Sequence, residues 1–171
     1  MTPQAQAQRL AEEFILKTFS FRDGFGNQVS LCAYDLGYRF KFNNKKRAVG
    51  TCSYRFKTIE LSLAIIKANP ELETVENTIR HEIAHAFAKH IYGTRTKGHD
   101  RYWKHTARAC GANDVAGNKT VVGAAGKYTV FCKAGHEFPR HKRPTTLHKQ
   151  SCAKCSNKYN PTYSLEYKQN Y

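Results

Sequence analysis

Five residues, His81-Glu82-Ile83-Ala84-His85, constrain this chain more than any others. In a helix, residues four apart stand one turn above each other, so His81 and His85 present both imidazoles to one point with Glu82 beside it. That is the donor set of a zinc centre with an open coordination position. Shuffling this composition produces such a pentapeptide by chance about two times in a hundred, so its surroundings must carry the reading. Val75, Ile79, Ile83, Ala86 and Phe87 recur at helical spacing and mark a buried face, and His81 and His85 project from nearly the opposite side. Ala84 and Ala88 flank them with small side chains, which leaves room for a metal and a substrate. A third protein ligand is needed, and His99 is the natural candidate, because residues 91–97 have the Gly, Thr and basic character of a loop that turns back. The expectation is Zn²⁺ on His81, His85 and His99, with water in the fourth position and Glu82 as its general base.

At 171 residues the chain holds one modest core plus a small appendage, not two full-size domains. A net charge of +15, from 28 Lys and Arg against 13 Asp and Glu, points to a polyanionic partner, nucleic acid first. Residues 1–20 have no basic head followed by an apolar run and do not read as a secretory signal. No window is long and apolar enough to span a membrane, so no membrane partner is expected. The expected location is the cytoplasm, bacterial or of a viral host, and nucleoid-associated. Six cysteines in such a reducing compartment favour metal over disulfide, with Cys32, Cys52 and Cys110 read as buried small residues.

The fold class expected is α+β: a small antiparallel β-meander packed with helices carrying the HExxH motif, zincin-like, followed by a zinc ribbon. Thr2-Pro3 starts a first helix whose stripe is Leu10, Phe14, Ile15 and Phe19. Residues 29–62 turn β in character, with Tyr38, Phe40 and Phe42 alternating with Arg39 and Lys41, then strands near 49–54 and 58–61. A short helix over 62–67 is stopped by Asn69-Pro70, the metal-binding helix covers 71–90, and another starts at His99 or Asp100 and ends before Gly111. Residues 111–126, rich in Gly, Ala and Asn, read as a linker, which divides the chain into a domain over 1–122 and a subdomain over 123–171.

Beyond the linker, Cys132-x₃-His136 and Cys152-x₂-Cys155 are two metal-ligand pairs flanking a basic hairpin-like stretch, the pattern of a zinc ribbon. His141 or His148 are alternatives to His136. A metal-free hairpin has too little apolar material here to be stable. Residues 157–171 add a strand or fray. Lys133, Arg140, Lys142, Arg143, Lys149 and Lys154 are candidate phosphate contacts, and Tyr128, Phe131, Phe138 and Tyr159 either stack on unpaired bases or form the ribbon's own core.

Taken in order, the strand Thr58-Ile59-Glu60-Leu61-Ser62, the HExxH helix preceded by Glu76-Asn77-Thr78, Gly98-His99 with Trp103, and the ribbon resemble the SprT-like zinc metalloproteases, relatives of Spartan, over roughly residues 5–160. Two places depart from that pattern. Many members read Gly-His-Gly-Pro-Glu-Trp where this chain reads Gly98-His99-Asp100-Arg101-Tyr102-Trp103, and the first ribbon pair is Cys-x₃-His in place of two cysteines. The resemblance implies a zinc metalloendopeptidase that binds single-stranded or distorted DNA and cleaves DNA-bound or DNA-crosslinked proteins, with one catalytic and one structural zinc. Tyr102, Arg101 and His105 are candidate donors to the tetrahedral oxyanion. Two other readings are a non-proteolytic zinc-containing nucleic-acid-binding protein and a general zinc peptidase unconnected with DNA. An intact Glu82 argues against the first, since a structural site has no use for it.

Overall fold

A computed structural model describes residues 2–69, 71–115 and 125–171. Helix α1 (Pro3–Leu16) starts where Thr2 Oγ1 accepts the Ala5 N–H and Pro3 fills a first-turn position that has no helical acceptor to serve. The helix stops at Leu16, short of Phe19. Thr18-Phe19-Ser20-Phe21 alternates polar with aromatic residues, and this period-two segment forms β1 (Thr18–Arg22), antiparallel to β2 (Gln28–Cys32). Phe19 reaches the core from the strand, stacked on Phe14 at 6.5 Å and edge-on to Phe87 at 5.7 Å.

Strands β3 (Arg39–Asn43), β4 (Gly50–Ser53) and β5 (Thr58–Ser62) form a sheet in the order β3-β5-β4, with β3 parallel and β4 antiparallel to β5. The expected antiparallel meander, which would put β4 in the middle, is therefore corrected. The cause lies in burial: Ile59, Glu60, Leu61 and Ser62 are all buried, so β5 takes the centre. The tight turn at 54–57 keeps β4 beside it as an edge strand. The longer 44–49 connection carries the chain across the end of β5, where the Ser62 N–H donates to Val49 O at 2.8 Å.

Ser62 also caps α2 (Leu63–Ala68), its Oγ accepting the Ile65 N–H at 3.3 Å. Helix α3 (Leu72–Tyr92) is the axis of this unit and packs on α1, β4, β5 and α4 (Arg101–Ala109). Its Val75, Ile79, Ile83, Ala86 and Phe87 face the core. Ala84 and Ala88 are in that core as well, so their small size serves close packing and not the cleft as expected. No described helix is long and apolar enough to cross a membrane.

The chain divides into two compact units, residues 1–123 and 124–171. Most of the stretch read as a linker, residues 116–124, lies outside the described residues. In the second unit β6 (Tyr128–Cys132), β7 (Glu137–Arg140) and β8 (Leu165–Gln169) form an antiparallel sheet in the order β7-β6-β8. Residues 157–171 thus supply a strand. Its buried side chains are few: Tyr128, Val130, Cys132 and Cys152.

Candidate functional site

The periodicity of α3 places His81 and His85 one turn apart, with ring centroids 5.0 Å from each other. After α3 the chain turns at Gly98, whose φ of +57° lies in the left-handed region that a residue with a Cβ rarely adopts. His99 follows immediately. Asp100 then caps α4, its carboxylate accepting the N–H groups of Tyr102 and Trp103 at 3.0 Å and of Lys97 at 2.7 Å. This cap pins the loop that carries His99. One turn into α4, the fully buried Trp103 backs all three imidazoles, its ring centroid 4.6 Å from His81, 5.1 Å from His85 and 4.4 Å from His99.

His99 Nε2 lies 3.0 Å from His81 Nε2 and 3.1 Å from His85 Nε2, and the three nitrogens converge within 4.8 Å. A single ring nitrogen carries either one proton or one lone pair, so His99 Nε2 cannot satisfy both neighbours by hydrogen bonding. A cation at the focus satisfies all three. Zinc bonds of about 2.0–2.1 Å in a tetrahedron hold nitrogens about 3.3–3.4 Å apart, close to what is found. Burial also prepares the donors: it lowers His81 to about 4 and His85 to about 3, with the neighbouring imidazoles adding to the effect, and lowers His99 too. Neutral imidazoles keep their lone pairs free for a metal.

Glu82 is buried beside them, and burial pushes its carboxyl up to about 7 against a hydrogen bond from the Cys52 backbone and the charge of Lys45. A carboxyl poised there exchanges protons near neutrality. These groups open into a cleft of about 800 Å³, walled on one side by β4 and on the other by Asn77, Thr78, His81, Glu82 and His85 of α3. Two residues of the wall were missed from the sequence. Gly50 packs directly over Glu82, and a glycine at the start of a strand was the available signal for close approach. Tyr54 lines the cleft from the turn after β4, and nothing marks it in the sequence among the 10 tyrosines. Its phenol is raised to about 12 by burial and by Cys52 and Glu82.

The expected oxyanion donors are elsewhere. Tyr102 stacks on Tyr92 at 4.5 Å, Arg101 donates to the Tyr102 hydroxyl at 2.9 Å, and His105 Nε2 lies 2.8 Å from Arg22 O. The turn of α4 that aims Trp103 at the histidines carries these three away, and none of them lines the cleft.

In the second unit Cys132, His136, Cys152 and Cys155 converge within 4.8 Å. His136 Nδ1 lies 3.6 Å from the sulfurs of Cys132 and Cys152 and 3.3 Å from that of Cys155, and Cys132 Sγ lies 3.9 Å from Cys155 Sγ. A tetrahedral zinc with sulfur bonds of about 2.3 Å spaces sulfurs about 3.8 Å apart, so the set fits. Each pair sits on a tight turn, with the Gly135 N–H donating to Cys132 O at 2.9 Å and the Cys155 N–H to Cys152 O at 3.0 Å. His141 and His148 are not in the group. Lys133, Arg140, Lys142, Arg143, Lys149 and Lys154 are all exposed on this unit. Among its aromatics, Tyr128 belongs to the small core, Phe131 and Phe138 are half-buried, and Tyr159 is exposed.

A buried glutamate beside three convergent imidazoles in an open cleft gives this α+β unit a donor group compatible with a metal ion. The chain matches the SprT-like family over residues 22–122, more than half its length, and belongs to that family. The match leaves α1 and the second unit outside it, a narrower span than the sequence resemblance suggested. Membership points to a metalloprotease-type function. No curated protein and no solved structure matches the chain.

Proposed function

We propose that this protein is a zinc-dependent endopeptidase that binds single-stranded or distorted DNA and cleaves proteins bound or crosslinked to it, in the cytoplasm. The observation that carries the enzymatic part is the convergence of three neutral imidazole nitrogens next to a buried carboxyl raised to about 7. His81, His85 and His99 would hold the zinc ion. Held there, zinc supplies Lewis acidity toward a peptide carbonyl and acidifies water.

The chain's own residues do the rest. Glu82 takes the proton from the attacking water on its carboxylate and returns it to the leaving amine nitrogen. The Cys52 N–H and the absence of a side chain at Gly50 set the position of that carboxylate. Burial and the neighbouring Cys52 and Glu82 push the Tyr54 phenol up, which keeps it protonated near neutrality and able to donate to the oxygen that gains charge as the carbonyl becomes tetrahedral.

The DNA part rests on charge. The exposed basic residues Lys133, Arg140, Lys142, Arg143, Lys149 and Lys154 would track phosphates from a ribbon held by a structural zinc on Cys132, His136, Cys152 and Cys155. Incubation of the purified protein with a DNA-binding protein, with and without single-stranded DNA, beside a Glu82→Gln control, tests the whole. Cleavage by the intact enzyme alone, stimulated by DNA and suppressed by salt, is expected. A zinc-loaded protein that cleaves under no DNA condition is instead a nucleic-acid-binding protein without proteolysis.

A further inference from the structure

At one end of the β3-β5-β4 sheet, the start of β3, the end of β4 and the start of β5 come together in register, Arg39 opposite Thr58 and Thr58 opposite Ser53. The turn between β4 and β5 reads Tyr54-Arg55-Phe56-Lys57. Phe56 is 69% exposed, and the Arg55 guanidinium lies 5.3 Å from its ring centroid. Beside it, the Arg39 N–H donates to Lys57 O at 2.9 Å, and the Arg39 guanidinium covers Tyr34, itself 44% exposed, at 3.7 Å. Lys57 has a φ of +49°, making it the non-glycine residue with left-handed backbone among those described. That backbone closes the four-residue hairpin loop between β4 and β5. Arg55 and Lys57 make no ion pair among the described residues, and Asp35 is the acidic neighbour on the Tyr34 turn.

Phe56 lies outside the core, and none of Arg39, Arg55 and Lys57 has an acidic partner among the described residues. The Arg39 guanidinium donates to Tyr34 O at 3.1 Å and Tyr38 O at 2.8 Å, and the Lys57 ammonium lies 4.8 Å from the Tyr38 ring centroid. Packing would bury the rings, and solubility alone would call for charge without them. Together they match the chemistry of unpaired nucleotides, whose bases offer a face for stacking and whose phosphates take guanidinium and ammonium groups. A polypeptide without acidic side chains would gain from the rings but not from the three cations. We propose that this strip, Tyr34, Arg39, Arg55, Phe56 and Lys57, is a single-strand nucleic-acid contact on the catalytic unit itself, separate from the basic residues of the second unit. It rests on the nucleic-acid reading above and deepens it. Tyr54 links the same turn to the cleft, so a strand held on Phe56 would keep the protein attached to it beside the scissile position.

The test uses the full chain and fluorescent oligodeoxythymidine, with an abasic oligodeoxynucleotide of equal length for comparison. The intact protein is expected to prefer oligodeoxythymidine, and Phe56→Ala to lose roughly tenfold in affinity together with that preference, while Phe56→Trp keeps both. Arg55→Gln with Lys57→Gln is expected to reduce the salt slope by about 1.4. Unchanged zinc content and circular dichroism would exclude misfolding as the cause. If the intact protein binds and these variants bind equally well, the strip is not the contact, though the DNA reading survives. If Phe56→Ala alters KM for a peptide but not oligonucleotide affinity, the strip grips polypeptide and the proposal is overturned. If the intact protein binds no oligonucleotide, the DNA reading fails and takes this inference with it.

Discussion

Gly50 leaves open the space that the Glu82 side chain uses: a Cβ at Gly50 would come within 2.7 Å of Glu82 Oε1 and 2.8 Å of Glu82 Cγ. Thr78 Cγ2, at 2.7 Å, closes the other escape. The edge strand β4 and helix α3 therefore meet through a glycine because the carboxylate stands between them. Gly50→Ala must push Glu82 out of place, and an error of about 1 Å in a catalytic group costs about a hundredfold in rate. We expect kcat to fall by about that factor while zinc content stays at the level of the intact protein, since no histidine moves. Loss of zinc in this variant would show that β4 supports the ligands and not the base.

Tyr54 is expected to act on kcat and not on substrate binding. Tyr54→Phe keeps the ring beneath the Lys89 ammonium, 5.8 Å away, and removes the hydroxyl alone. Loss of one donor to a developing oxyanion costs about a hundred- to a thousandfold in kcat. Steady-state kinetics on a peptide substrate, with KM held within about twofold, would support the role. A raised KM with unchanged kcat would assign Tyr54 to substrate binding.

Glu60 gives the fold an acid-sensitive tie. Burial would raise its carboxyl, but hydrogen bonds from Asn43 at 2.9 Å and Thr58 at 3.0 Å, with Lys41 at 3.2 Å and Lys45 at 3.4 Å, outweigh that and bring it down from 4.5 to about 2. A carboxyl lowered on folding adds stability that is complete above its unfolded pKa of 4.5 and is lost as pH falls toward its folded value of about 2. Urea midpoints should therefore drop across that window. Glu60→Gln should flatten this part of the profile, and an unchanged slope would mean that other carboxylates carry it.

The parts of the site that were legible in the sequence are those set by local periodicity. His81 and His85 converge because a helix repeats every four residues or so, and Cys132-x₃-His136 and Cys152-x₂-Cys155 each close a tight turn whose spacing reports its geometry. The start of α4 beside Asp100 is local in the same way. What was not legible depends on residues far apart in the chain. The parallel pairing of β3 with β5 follows from which strand can be buried on both faces, and Gly50 meets Glu82 only after the sheet has taken that order. An aromatic one turn beyond Ile15 fits a helical stripe as well as a strand, and only the pairing of Phe19 with Leu31 across the hairpin assigns it to β1. The oxyanion candidates failed for a related reason: nearness to His99 in sequence says nothing about which side of α4 a residue leaves.

Two independent donor sets predict two separable metals. Metal analysis should find about two zinc ions per chain, and about one after either His85→Ala or Cys155→Ser. The two losses should differ in their structural consequence. The first unit has a large apolar core that includes Phe14, Tyr38, Ile59, Phe87 and Trp103, so His85→Ala should abolish cleavage and leave its unfolding transition in place. The second unit buries little beyond Tyr128, Val130, Cys132 and Cys152, and two of those are themselves donors. A core of that size does not offset the entropy of ordering a segment of this length, so metal binding must contribute much of its folding free energy. Chelation or Cys155→Ser should therefore unfold residues 125–171 selectively, seen as loss of amide hydrogen-exchange protection on β6 and β8 while α3 stays protected. Retained protection on β6 in a Cys155→Ser protein holding one zinc would show that this small sheet stands without its metal.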